Sequence, residues 1–146
     1  MDGGVLIHTV SHVSLKVSSE MVTRALAHAA ENGWSIAVSV VDADGATIAS
    51  ARMDGVSSQI LGFADDKAFT ASTMRKTTEA YFERMDQSAS LRLGLANRNR
   101  LLVWGGGLPI KYKGAVIGGI GVSGAQDFED VACAQVAIRN VGLAVE

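Results

Sequence analysis

Lys67 lies within an apolar stripe. At about 100° per residue, Ile60, Leu61, Phe63, Ala64, Ala68, Ala71 and Met74 share one broad helical face, and Lys67 falls near its middle. A lysine is seldom buried alone, so this ammonium snorkels to solvent, meets a buried carboxylate such as Asp42, Asp54 or Asp130, or lines a cavity for an anionic ligand. Arg52 and Asp54 flank Met53 just before the same helix. Brought together, these residues suit acid chemistry on a carbonyl compound: Lys67 or Arg52 would stabilise an enolate-like oxygen, and Asp54 would move protons.

Other patterns exclude more than they offer. Gly119-x-Gly121-x-x-Gly124 matches the dinucleotide fingerprint in form, but the 22 residues after Gly124 are too few for the helix and second strand that the site needs. Gly118, Gly119 and Gly121 read instead as strand positions that another element approaches closely. Gly121-Val122-Ser123-Gly124-Ala125 is not a nucleophile elbow, and Ser123 is expected to cap the turn before the last helix. His8 and His12 share a face, yet two nitrogen ligands leave a metal site incomplete, so no metal is expected. His28 sits at the edge of an apolar stripe. Asp127, Glu129 and Asp130 complement a helix dipole. Cys133, the single cysteine, reads as a small buried hydrophobe.

The elements that position these residues follow from periodicity. Met21, Val22, Ala25, Leu26 and Ala29 make Ser18–Asn32 an amphipathic helix, with Ser18 as its cap and Gly33 past its end. Two alternating runs, 36–41 and 47–53, meet at an Asp44-Gly45 hairpin turn. Helices are expected over 59–74 and after Thr77, the latter turning Tyr81, Phe82 and Met85 inward. An irregular basic connection over 88–100 follows, then strands through Lys111 and over 115–122, and a closing helix over 127–141. With 146 residues, no linker and no repeat, the chain reads as a single α+β domain, 1–146, of an antiparallel sheet with helices packed against it. No apolar run reaches the roughly 18 residues of a membrane span, and the first residues lack a basic leader, so a cytoplasmic protein is expected. Between Gln87 and Gln126 there are five cations and no acid, although the net charge is −2. That asymmetry points to a small anionic ligand or a neighbouring subunit, while the acidic whole and the lack of interleaved aromatics argue against nucleic acid. Phe69, pointing away from its helix's stripe, suggests a homo-oligomer.

Val40-Val41-Asp42-Ala43-Asp44-Gly45, Arg52-Met53-Asp54-Gly55, Asp66-Lys67-Ala68, Gly105-Gly106-Gly107-Leu108-Pro109-Ile110 and the run Val116–Gly124 with a trailing Asp130 resemble the GlcG/HbpS-like family, often labelled haem-degrading. The resemblance runs in order from about Ser18 to Val141. It implies a profilin-like fold with a five-stranded antiparallel sheet, homo-oligomers, and haem or related tetrapyrrole binding in some members. Related domains occur in corrinoid adenosyltransferases, and other members accompany glycolate or aromatic catabolism. Two alternative functions are open for this chain. One is a binding protein for haem or a similar flat anionic ligand, held beside the glycine-rich strand by Gly106, Gly107 and Ser123, with His28 as iron ligand and Arg52, Lys67 or the basic connection pairing its carboxylates. The other is a small catabolic isomerase or hydrolase acting on an unsaturated or keto acid, with Lys67, Arg52 and Asp54 as its catalytic groups.

Overall fold

The computed structural model describes residues 6–145. Helix α1 spans Leu15–Glu31, one turn earlier than the apolar stripe suggests, because the hydroxyl of Ser14 accepts the Val17 N–H and caps it. Ser18 is therefore not the cap; it is buried inside the helix and donates to the Ser14 carbonyl. The hairpin of β1 (Ala37–Asp42) and β2 (Thr47–Arg52) turns at Asp44-Gly45 as expected, with Gly45 at φ +87. Helix α2 (Ser58–Met74) follows, capped by Ser57 and ended by Arg75 in the left-handed region. Helix α3 covers Thr78–Met85 and turns Tyr81 inward but leaves Phe82 exposed. The expected irregular connection holds a further short helix, α4 (Ala89–Ala96), capped by Ser88 and burying no side chain. Strands β3 (Gly107–Tyr112) and β4 (Ala115–Ser123) then form a second hairpin, and α5 (Asp127–Asn140) closes the chain.

All pairings are antiparallel, in the order β2-β1-β4-β3, so the sheet has four strands among the described residues rather than five. The apolar run Leu101–Val103 is not a strand. The Thr70 hydroxyl donates to the Arg100 carbonyl and accepts the Leu102 N–H, so a side chain satisfies backbone groups that a ladder would otherwise pair.

Helices cover both sheet faces. On one, Val38, Val40, Ile120 and Val122 pack with Ile110 against Met21, Ala25, Cys133 and Ala137 of α1 and α5. On the other, α2 lies almost directly on the sheet. A Cβ at Gly107, Gly119 or Gly121 would strike the carbonyl of Lys67, Ala68 or Ala64 respectively, so these three glycines form the floor under the α2 backbone. Phe69 does not face open solvent as expected; the Arg100 guanidinium lies 4.1 Å over its ring. Among the described residues no helix is long and apolar enough to cross a membrane.

Candidate functional site

The close seating of α2 decides the environment of Lys67. Its side chain is 1% exposed, and Nζ donates to the Val122 carbonyl (2.9 Å) and to Asp130 Oδ2 (3.3 Å). Asp130, 2% exposed, accepts the Ala125 N–H through Oδ1. Of the three carboxylates open to Lys67 in the sequence, Asp130 is its partner. Burial pushes the Asp130 pKa up to about 6, with Lys67 opposing that rise; burial likewise lowers the Lys67 pKa, against the pull of Asp130. The pair thus satisfies itself at the cost of two desolvated charges.

The native Asp130 carboxyl binds its proton near pH 6, before the unfolded chain does near 3.8. Native protein therefore gains stability as pH falls through 6, and loses that gain as pH rises again. Relative to Asp130→Asn, which lacks this titration, the parent is expected to gain about 1 kcal/mol between pH 7 and pH 5. Urea melts of both proteins at the two pH values check this; a difference that does not change with pH would place the titration elsewhere.

The remaining expected site residues are dispersed. Arg52, on the exposed edge of the sheet, donates to the Val56 carbonyl and clasps the turn that contains exposed Asp54. Neither is among the groups that Lys67 touches. The space beside Gly106 is taken by the Val122 carbonyl, Asp130 and Lys67 Nζ, and that beside Gly107 by α2 and Thr78. Ser123 caps no helix: it is buried in β4, and α5 is capped by a reciprocal Gln126–Glu129 box. His28, half-buried near the end of α1, sets its ring edge-on to Trp34 with centroids 5.8 Å apart.

A cleft of about 640 Å³ opens where three turns and the 8–11 segment meet. Val13, whose N–H donates to the Ile117 carbonyl, pins that segment to β4 and brings His8 and Val10 alongside the hairpin. The β3–β4 turn has Lys113 at φ +50 and Gly114 at φ +82, the two-residue geometry whose twist matches its strands, and it presents Lys111, Ala115 and Val116. Ala43 and Asp44 from the β1–β2 turn and Arg75 from the end of α2 complete the wall. The cleft combines one imidazole, two cations, the Asp44 carboxylate and apolar surface in a volume typical of small-molecule sites. A smaller cleft of about 370 Å³ between α3 and α4 is lined by Tyr81, Met85, Leu91, Leu95 and Leu101 with Arg98, and no histidine. Sequence reasoning noticed His8 but not its setting, because Ala43, Arg75 and Lys111 lie far away along the chain and only the fold assembles them.

Comparison with known proteins agrees with this architecture. A 15.0 kDa protein from the dhaT-dhaS intergenic region of Citrobacter freundii is 33% identical over 130 residues, covering 88% of this chain and 92% of that protein. The crystal structure of a double mutant of Streptomyces reticuli HbpS superposes with a TM-score of 0.86 at 31% identity, covering 97% of this chain and 94% of that one. PduOC, solved as its haem complex, superposes with a TM-score of 0.83 at 26% identity over 92% of this chain and 99% of that one. The family model described as haem degrading protein HbpS-like matches residues 13–139, and the chain accordingly belongs to the HbpS-like family.

Proposed function

We propose that this protein binds haem, or a closely related flat anionic tetrapyrrole, in the cleft between the 8–11 segment and the β3–β4 hairpin. The observation that carries the reading is the convergence there of His8, Arg75 and Lys111 with Val10, Ala115 and Val116. This donor set fits the group: an imidazole for iron, guanidinium and ammonium for two carboxylates, and aliphatic surface for a flat ring. Haem, if bound, would supply an iron centre that a histidine nitrogen can hold. The chain's own part is to hold His8 against the sheet edge, orient the carboxylates through Arg75 and Lys111, and shield one ring face with the hairpin. The haem complex of PduOC supports the choice of ligand. In the catabolic-enzyme alternative Lys67 or Arg52 would stabilise the enolate-like oxygen; Lys67 is engaged by Asp130 and Val122, which leaves Arg52 and Asp54 as its candidate groups.

Titration with haemin tests the proposal. The expected result is one saturable Soret shift per chain, with His8→Ala changing the bound spectrum and weakening binding by about tenfold or more. His28→Ala is expected to leave both unchanged. A spectrum that responds to His28→Ala and not to His8→Ala would move the iron to α1 and overturn the cleft.

A further inference from the structure

Beside that cleft, a second group of donors converges that the haem reading does not use. Fixing Val13 to β4 leaves the next residue back, His12, over the β1–β2 turn, where its Nδ1 lies 3.9 Å from Asp42 Oδ2. One ligand atom each from His12, Asp42 and Asp44 lies within 4.8 Å of the others. The two segments are thirty residues apart, so the sequence shows only His8 and His12 and no third ligand.

We infer that His12, Asp42 and Asp44 form a site for a single divalent transition-metal ion with mixed nitrogen and oxygen ligands. Three features of the geometry argue for this class. Asp42 is preorganised: its Oδ1 accepts the N–H groups of Asp44 (2.8 Å) and Ala46 (3.1 Å), which fixes the carboxylate and leaves Oδ2 turned toward His12. His12 Nδ1 accepts the Ala43 N–H at 3.1 Å, so this nitrogen presents a lone pair toward the turn rather than a proton. The third donor, Asp44, is exposed and free to swing, and ligand atoms around such an ion stand roughly 3 Å apart, so only a small closure is needed. Binding exchanges the Ala43 N–H for the ion at Nδ1, and that amide, at the surface, turns to water. Two carboxylates supply the counter-charge, while the imidazole favours a transition ion over calcium or magnesium, which take oxygen ligands. Three protein donors leave the remaining positions open to water.

Isothermal titration of Zn²⁺ into the tag-free, haem-free chain is the test. One ion per chain is expected, with His12→Ala and Asp44→Asn each weakening affinity by about tenfold or more. Asp42→Asn retains the acceptor for the two turn amides and removes the charge, and a similar loss is expected from it. Melts in the presence of a chelator should show all three variants as stable as the parent, which separates ligation from folding. No saturable binding, or an affinity unchanged by His12→Ala, would overturn the site. Asp44 also lines the haem cleft, whereas His12 and Asp42 do not, so His12→Ala and Asp42→Asn separate the two sites: each should weaken Zn²⁺ binding and leave the haemin titration unchanged.

Discussion

Lys67→Met is expected to destabilise the protein by about 3–5 kcal/mol, the cost of stranding one member of a buried ion pair. For a chain of this size that corresponds to a melting temperature lowered by roughly 10 °C or more. Methionine fits the stem of Lys67 within the stripe of α2, so packing changes little. The loss comes from Asp130, which keeps only the Ala125 N–H, and from the Val122 carbonyl, which loses its ammonium donor. Burial already raises the Asp130 pKa to about 6, and removing the neighbouring cation raises it further. The carboxyl in the variant therefore takes up a proton, and the deficit should be smaller at pH 5 than at pH 7. Adding Asp130→Asn to Lys67→Met removes the stranded charge and should recover a substantial part of the lost stability. Thermal melts of the single and double variants decide the matter. An unchanged melting temperature accompanied by lost ligand binding would make Lys67 a ligand group rather than a structural one.

Gly121→Ala should be equally damaging for a different reason. The new Cβ would overlap the Ala64 carbonyl oxygen and stand 2.5 Å from the Ala68 amide nitrogen, and neither is a flexible side-chain end that moves aside cheaply. Helix α2 would have to lift from the sheet along its most extensive contact. Relief at Gly121 would also disturb the contacts of Gly107 and Gly119, which support the same helix. Overpacking of ordinary core sites costs about 1–3 kcal/mol, and a backbone clash between two packed elements belongs at or above the upper end. Gly62→Ala, on the exposed side of α2 with nothing within 4 Å of the added carbon, is the control and should be neutral or slightly stabilising. Urea denaturation of the two variants measures both. A Gly121→Ala protein as stable as Gly62→Ala would contradict the close seating of α2.

Much of the fold was legible because local signals agreed with tertiary demand. Asp44-Gly45 marked the first hairpin, and Gly118, Gly119 and Gly121 were read as sites of close approach, which α2 makes at Gly119 and Gly121 and Val13 makes at Gly118. The misreadings have physical causes. The start of α1 is set by Ser14, which carries no hydrophobic signal, while Ser18 is a serine turned into the core. Helix α4 buries no side chain, so its leucines do not mark a face against the core. Leu101–Val103 is apolar yet not a strand, and nothing local reveals that Thr70, far away along the chain, pairs with the Arg100 carbonyl and the Leu102 N–H. For the site, the oddity of Lys67 was visible but its partner was one of three carboxylates. The three turns that meet around His8 are joined only by the strand order β2-β1-β4-β3.

Amide chemical shifts locate the bound tetrapyrrole most directly. Uniformly nitrogen-15-labelled protein would be titrated with gallium protoporphyrin, a diamagnetic stand-in for haem that keeps the flat ring and both carboxylates. The largest shifts are expected on Thr9, Val10, Ser11, Ala43, Arg75 and Ala115, around the cleft that holds His8. Shifts clustered instead on Tyr81, Leu91, Leu95 and Leu101, or around His28 and Trp34, would contradict this placement.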